Sequence, residues 1–186
     1  MLESTAGRLL VATPLLTDPN FERTVIFVCF HDANGAFGLV LNRPVGAPAG
    51  DLVPDWQPLL TPPGELHSGG PVERSSFLGL GAMEGPRDEG IEWWTPIAHG
   101  VGLVNLAGDV EEAADALEAL RIYHGYTGWG GGQLDAEIGE NSWFVVDADP
   151  EDPFTERPDR LWNTVLGRQR GELAMYGTYP EDAKVN

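Results

Sequence analysis

The chain has few cationic residues and one cysteine, and both shortages exclude classes of function. Cys29 is the single cysteine of 186 residues, which excludes an intramolecular disulfide and favours a reducing, cytoplasmic compartment. Eleven Lys and Arg stand against 29 Asp and Glu, for a formal net charge of −18. Nucleic-acid affinity rests mainly on cations that displace counterions from phosphates, so direct DNA binding is disfavoured. The densest basic segment, 166–171, holds two arginines.

Membrane and secretion signals are missing as well. No apolar run approaches the roughly 18 residues that a membrane-spanning helix needs. The N-terminus has neither a basic leader nor a small-residue cleavage pattern after an apolar stretch. We therefore expect a cytoplasmic protein without a membrane partner.

Motifs for metal binding and nucleophilic catalysis are equally scarce. The histidines are scattered, at His31, His67, His99 and His124, with no paired ligand spacing. Cys29 and His31 are two residues apart on a predicted strand and would share a face, which is half of a metal site. No serine lies in a G-x-S-x-G motif, and the carboxylates are too numerous to single out an acid–base pair. The sequence predicts no metal site and no cofactor, and it identifies no catalytic residue.

What the sequence does have is a clear hairpin. The segment "RTVIFVCF" (23–30) is a nearly continuous apolar run that is typical of a buried strand. A second apolar run follows at 37–41, and Asn34 and Gly35 between the two runs favour a tight turn. We predict that the hairpin 24–42 lies at the centre of the sheet.

The remaining elements predict an α+β protein with one domain over residues 1–186. Six prolines within 44–63 predict a loop with a short helix at 52–57. Strands are predicted at 76–83, 91–98, 101–106 and 141–148, with a polar turn at 84–90. A long helix is predicted at 108–125, capped by Asp109 and ended by Gly125. Shorter helices are predicted at 134–140 and 159–169, and a last strand at 172–177. The order does not alternate as in a doubly wound fold, so α+β is favoured.

The segment "GYTGWGGGQLDAEI" (125–138) poses the question of a phosphate-binding loop. A P-loop requires a preceding strand and a lysine, whereas here Gln133 follows the glycines and a helix is predicted before them. We therefore favour a turn between two helices, with an anion or small-ligand site as the alternative. Gly128, Gly130 and Gln133 are its candidate contact residues.

Polar residues cluster at the open end of the predicted hairpin. The segment 17–23 predicts one helical turn before the first strand. Antiparallel pairing should bring its polar groups close to those that follow the second strand. The group consists of Asp18, Glu22, Arg23, Asn42 and Arg43. It predicts either a structural network that pins the hairpin or a site for a ligand or partner.

Four blocks of the sequence resemble one family. They are residues 7–44, "SGGPV" (68–72), "GYTGWGGGQLDAEIGENSWF" (125–144) and "LWNTVLGRQRGELA" (161–174). Together they resemble the YqgE/AlgH family of bacterial proteins. The resemblance implies a compact α+β domain with a branched, mostly antiparallel sheet partly rolled into a small barrel and surrounded by helices. It implies no established reaction, and the family carries the label of a transcriptional regulator.

Two functional hypotheses of different classes follow. The first is a non-enzymatic regulatory or adaptor protein, which binds a protein or small-molecule partner through a surface shared by the hairpin end and the glycine segment. The second is a hydrolase or nuclease-like enzyme that uses carboxylates with a divalent ion. Direct DNA-binding regulation is a third hypothesis, which the net charge disfavours.

Overall fold

In the part of the chain that the structure describes, ten β-strands form a mostly antiparallel sheet that curls into a half-barrel, with a few helices packed against it. The computed structural model describes residues 3–84 and 90–180. The strands are β1 Arg8–Ala12, β2 Val25–Asp32, β3 Gly35–Val40, β4 Pro44–Pro48, β5 Glu65–Ser68, β6 Val72–Met83, β7 Trp94–Ala98, β8 Val101–Val104, β9 Leu117–Gly130 and β10 Trp143–Asp147. This architecture confirms the predicted α+β class.

The main path of the sheet is β10-β1-β2-β3-β9-β6-β8-β7, and β4 and β5 branch from it. Strand β9, with 14 residues, holds the branches together. One of its edges pairs with β6, and the other pairs with β3 and, in parallel, with β5. The polar residues of the open hairpin end therefore lie close to the β5 branch.

The predicted hairpin is confirmed, and it is central. β2 and β3 pair in antiparallel fashion across the turn at Asn34, and β1 and β9 flank them. The side chain of Asp32 holds the turn, because its Oδ1 accepts hydrogen bonds from the Asn34 and Gly35 amides at 2.7 and 3.2 Å. Five consecutive residues of β2 from Val25 are buried, because both faces of the sheet are covered here.

Four short α-helices of the described segments pack against the sheet. They are α1 Val110–Ala114, α2 Gln133–Gly139, α3 Leu161–Gly167 and α4 Glu172–Tyr176. The predicted helices at 134–140 and 159–169 are confirmed as α2 and α3. Helix α3 buries Leu161, Trp162, Val165 and Leu166 against the sheet. Trp162 Nε1 also donates a hydrogen bond to Ala12 O at 2.9 Å, which attaches the helix to the end of β1.

The long helix predicted at 108–125 is wrong. Asp109 caps a helix, since its Oδ1 accepts from the Glu111 and Glu112 amides, but α1 ends at Ala114. Leu117 to Gly130 form strand β9 instead. This strand has neighbours on both edges and both faces, so residues 120–123 are all buried and the alternation that marks a strand is hidden. Pairing with β3, β5 and β6 outweighs the helical propensity of the segment.

Two further predictions are corrected by the structure. The last strand predicted at 172–177 is helix α4, in which Leu173 and Tyr176, one turn apart, pack on the core. The proline-rich loop contains the predicted short helix, as a 3₁₀ helix over Pro54–Leu59, but it begins with strand β4. A strand with prolines at its ends is tolerated there because β4 lies off the main path. Most of the predicted polar turn at 84–90 lies outside the described residues.

Candidate functional site

Asn42 closes the open end of the hairpin. Its Oδ1 accepts from the Val25 amide and its Nδ2 donates to Arg23 O, both at 2.9 Å. These two bonds link the entry of β2 to the exit of β3. They also help to hold Arg23 in the left-handed region, at φ 55°.

The Arg23 side chain reaches across to the C-terminal segment. Its guanidinium lies 4.1 Å from the centre of the Trp162 ring, a cation–π contact. Its Nη2 donates to Asn163 Oδ1 at 3.0 Å, and its Nη1 donates to Pro180 O at 3.3 Å. Arg23 therefore joins the hairpin to α3 and to the residues that follow α4.

Arg43 and Glu22 complete the group, whereas Asp18 does not. Arg43 Nη2 donates to Glu22 O at 2.5 Å. Asp18 instead caps the turn before β2, because its Oδ1 accepts from the Asn20 amide at 2.8 Å. It does not line the cleft described below, so the structure brings together four of the five predicted residues. The turn at 17–23 agrees with the single helical turn that was predicted.

These four residues border a cleft of about 630 Å³. Its other walls are mostly apolar and come from the segment after β1 and from the C-terminal segment. The lining residues are Thr13, Pro14, Leu16, Pro19, Glu22, Arg23, Asn42, Arg43, Pro158, Asp159, Trp162, Tyr179 and Pro180. We call this space the hairpin cleft. Its rings and prolines give it a fixed shape, and it combines two guanidinium groups with two carboxylates.

The residues on the C-terminal side of the hairpin cleft were not predicted as part of the site. Asp159 lines it, and a hydrogen bond from Arg157 lowers the pKa of this exposed carboxyl below its ordinary value. Trp162 falls within the helix predicted at 159–169, for which no contact with the hairpin was predicted. The resemblance block 161–174 is the one signal in the sequence that could have connected this helix with the hairpin.

The glycine segment is a strand followed by a helix, not a turn between two helices. β9 continues to Gly130, which pairs with Gly35, and α2 begins at Gln133. A Cβ atom on Gly131 would lie 2.8 Å from Ala33 O, and Gly132 has φ +74°. These two glycines are therefore required by close approach and by backbone conformation, respectively.

Gln133 braces this junction. Its Oε1 accepts from the Gly130 amide at 3.0 Å, and its Nε2 donates to Glu137 Oε1 at 2.9 Å. Glu137 in turn accepts at Oε2 from the indole nitrogens of Trp129 and Trp143, both at 2.9 Å. Apart from the helical spacing of Glu137 from Gln133, nothing in the sequence indicates that this carboxylate lies between two tryptophans.

The two predicted groups lie at opposite ends of the hairpin, so the expected shared surface is wrong. β2 has eight residues, which at about 3.3 Å per residue separates its two ends by roughly 25 Å. Gly128 lines a different groove, of about 830 Å³, beside the turn. The lining residues of this groove are Phe30, Asp32, Asn34, Gly35, Ala36, Phe37, Val72, Glu73, Ser76, Leu78, Tyr126, Gly128 and Trp129.

Cys29 and His31 do not share a face. The β2–β3 register shifts between Val28 and Phe30, so a bulge at Cys29 interrupts the alternation. Cys29 lies in the core, where burial raises the pKa of its thiol. His31 Nδ1 accepts from the Thr5 amide at 3.2 Å, and its Nε2 lies 3.6 Å from Asp135 Oδ1 on α2. Within residues 3–84 and 90–180, no three His, Cys, Asp or Glu side chains are grouped as metal ligands.

The helices of the described segments are short. None of them combines the length and the apolar character that crossing a membrane requires.

A family model described as AlgH-like, DUF179, matches residues 9–174. The chain belongs to the AlgH-like family. A UPF0301 protein of Streptomyces coelicolor is 46% identical over 187 residues, which cover 100% of this chain and 97% of the relative. A UPF0301 protein of Thermobifida fusca is 39% identical over 98% of this chain and 96% of its own length. The predicted family is thus confirmed.

Two solved structures have folds similar to that of this chain. The crystal structure of protein DIP2367 from Corynebacterium diphtheriae superposes with a TM-score of 0.88 at 31% identity, over 96% of this chain and 94% of that one. The solution structure of the AlgH protein from Pseudomonas aeruginosa superposes with a TM-score of 0.69 at 28% identity, over 98% and 100%. The hairpin cleft and its two guanidinium groups thus belong to a member of the AlgH-like family.

Proposed function

We propose that this protein is a non-enzymatic regulatory or adaptor protein, and that the hairpin cleft binds its partner. The observation that carries the proposal is the state of the polar groups in the cleft. Asn42 and Arg23 are engaged with the backbone and with the C-terminal segment, and Asp159 is paired with Arg157. Side chains that are engaged in hydrogen bonds with the protein itself stabilise the shape of a recognition surface. A catalytic group must instead be within hydrogen-bond reach of the substrate.

The chemistry of the cleft indicates the kind of partner. Arg23 and Arg43 place two cations on a chain of net charge −18, and prolines, Trp162 and Tyr179 supply apolar walls beside them. Guanidinium groups bind carboxylates and phosphates in a fixed geometry. The cleft therefore suits a small molecule, or a segment of a partner protein, that presents an anionic group next to an apolar one.

Direct regulation through DNA is a weaker candidate. The densest basic segment contains Arg168, but its guanidinium donates to both carboxylate oxygens of Asp152, with Nη1 to Oδ1 at 2.7 Å. This pairing, in addition to the overall negative charge, opposes the counterion release on which DNA affinity depends.

The test is to capture partners with three immobilised proteins: the wild type, Arg43→Ala and Arg8→Ala. Both variants remove one arginine, but Arg8 pairs with Asp147 on the β1–β10 edge, away from the hairpin cleft. We expect mass spectrometry to identify a protein or small molecule that the wild type and Arg8→Ala retain and that Arg43→Ala loses. Identical capture by all three proteins would contradict the proposal.

A hydrolase is the second candidate function, because two carboxylates line the cleft. Glu22 and Asp159 both line it, and an enzyme with a divalent ion would need such carboxylates. Hydrolysis of phosphoesters or peptides that requires a divalent ion, and that is lost in both Glu22→Gln and Asp159→Asn, would support this candidate over the adaptor.

A further inference from the structure

A second cavity, of about 430 Å³, borders the hairpin cleft. The two spaces share Asn42, Arg43, Pro158 and Asp159 in their walls. The second cavity extends towards β5 and β9, where it is lined by His67 and Arg121. These two side chains are almost completely buried, at 2% and 4% relative exposure. We call this space the His67–Arg121 cavity.

Arg121 brings a buried positive charge to this cavity. Its Nη1 donates to Pro153 O and its Nη2 to Thr155 O, each at 3.0 Å. Among the described residues, no carboxylate oxygen lies within 4.0 Å of its guanidinium nitrogens. Carbonyl oxygens satisfy hydrogen bonds but do not neutralise the charge, and a buried cation is stable where an anion compensates it.

His67 adds an unused hydrogen-bond acceptor. Its Nδ1 lies 3.1 Å from Glu65 O, and because a carbonyl can only accept, Nδ1 carries the proton. Burial and, secondly, the charge of Arg121 lower the pKa of His67 to about 4, so the ring is neutral at physiological pH. Nε2 therefore has a free lone pair, and it is buried without a hydrogen-bond partner among the described residues. Buried polar atoms are rarely left in this state.

Together the two side chains define a ligand. Arg121 favours an anionic oxygen, and His67 Nε2 can accept from a hydrogen-bond donor. We propose that the His67–Arg121 cavity binds a small oxyanion that also carries a hydroxyl group, of the class of monohydrogen phosphate or a 2-hydroxycarboxylate. Its charged oxygen accepts from the Arg121 guanidinium, and its hydroxyl group donates to His67 Nε2.

The remaining charges around the cavity are compatible with such a ligand. Glu65 is engaged, because its Oε1 accepts from the Gly46 amide at 2.5 Å. Glu156 and Asp159 are exposed at the rim, where water screens their charge. Arg43 lines the same cavity and adds a second cation. The negative charge of the carboxylates at the rim repels anions whose oxygens are all ionised. It therefore favours anions that keep a hydroxyl proton.

The experiment compares matched anions by calorimetry with the isolated full chain slightly above neutral pH. Phosphate and glycolate carry a hydroxyl donor, whereas sulfate and acetate offer anionic oxygens without one. We expect at least one of the two donor-bearing anions to bind tenfold or more tightly than its match, because an unpaired buried acceptor rejects a ligand that lacks the donor. The anion that does so identifies the ligand class. Equal binding within both pairs, or no binding in either, would overturn the proposal.

A variant pair locates the site. His67→Phe removes the acceptor and should abolish the difference between the matched anions. His124→Phe, on the neighbouring strand β9 and outside the cavity lining, should keep it. If His67→Phe keeps the selectivity, the anion binds elsewhere and the assignment fails.

The wild type alone also decides the question, should His67→Phe fail to fold. The ¹⁵N resonance of His67 Nε2 should move on addition of the donor-bearing anion and stay in place with its match. No movement with any of the four anions would overturn the proposal. The inference does not depend on the adaptor function, because anion binding is measured without any partner, whereas that function is tested by the loss of capture in Arg43→Ala.

Discussion

The guanidinium of Arg23 lies 4.1 Å from the centre of the Trp162 ring, and the same side chain donates to Asn163 Oδ1. Arg23 ends the turn that precedes β2, and Trp162 is the second residue of α3. This contact therefore fastens the C-terminal segment over the open end of the central hairpin. Trp162, Tyr179 and Pro180 of this segment form one wall of the hairpin cleft.

We predict that Arg23→Gln lowers the free energy of unfolding by about 1–3 kcal/mol. The variant loses the cation–π contact and charge-assisted bonds that are partly protected from water. Urea unfolding followed by tryptophan fluorescence measures the loss. Arg8→Gln is the control, since its ion pair with Asp147 is exposed and should matter by less than about 1 kcal/mol. Equal losses in both variants would contradict the structural role of Arg23.

Glu137→Ala should destabilise the junction of β9 and α2 by about 2–4 kcal/mol. Its Oε2 is the acceptor for both indole N–H groups, of Trp129 and Trp143, and the variant leaves two largely buried donors unpaired. Thermal unfolding provides the measurement, and Glu140→Ala, at the exposed end of α2, is the matched control. A Glu137→Ala variant as stable as the control would show that the two indoles find other acceptors.

The sequence predicted elements well where the signal was local. The hairpin was found because Asn34 and Gly35 separate two apolar runs, and α3 was found because its apolar residues recur with helical spacing. The capping function of Asp109 was also found, although the helix that it begins is short.

The failures at β9 and in the hairpin cleft concern contacts that are distant in sequence. Residues 117–130 form a strand because β3, β5 and β6 lie beside them, and no property of these residues alone reports those neighbours. For the same reason the sequence could place Arg23 next to Asn42 but not next to Trp162. The placement of His67 and Arg121 in the wall of one cavity was equally out of reach, because it depends on the parallel contact of β5 with β9.

Three alanine variants should rank the glycines of the β9–α2 junction. Gly131→Ala places a Cβ atom 2.8 Å from Ala33 O, and Gly132→Ala forces a side chain into φ +74°. We expect each to lose about 1 kcal/mol or more. A Cβ atom on Gly130 meets only Gln133 Oε1 at 3.9 Å, an ordinary contact, so Gly130→Ala should stay within about 0.5 kcal/mol of the wild type. Thermal melts measure the order of stability of the three variants. A Gly130→Ala variant less stable than the other two would contradict the prediction.

Adding phosphate to the same melts tests the alternative of an anion-binding glycine segment. Phosphate that stabilises the wild type should stabilise all three alanine variants equally, because the proposed anion cavity lies elsewhere, at β5 and β9. Stabilisation lost selectively in Gly130→Ala or Gly131→Ala would place the anion at the glycine segment instead.

The stability of the protein should depend on pH through His67. Burial and the charge of Arg121 lower its pKa from 6.5 to about 4 in the folded protein, so the unfolded chain binds this proton more tightly. The contribution of neutral His67 to the free energy of unfolding is fully present above pH 6.5, and it decreases as the pH falls from there towards about 4. A shift of this size corresponds to at most about 3 kcal/mol. Glu65, Arg121 and Tyr123 are the ionisable groups close to the ring, and Arg121 and Tyr123 keep their charge states over this range.

Urea unfolding of the wild type and of His67→Gln between pH 4 and pH 8 isolates this contribution. Surface carboxylates titrate in both proteins, so their effect cancels in the difference between the two curves, and the part that remains belongs to His67. We expect the wild type to lose stability relative to the variant as the pH falls below 6.5. Parallel curves would mean that His67 titrates normally, and that its ring is open to water in solution.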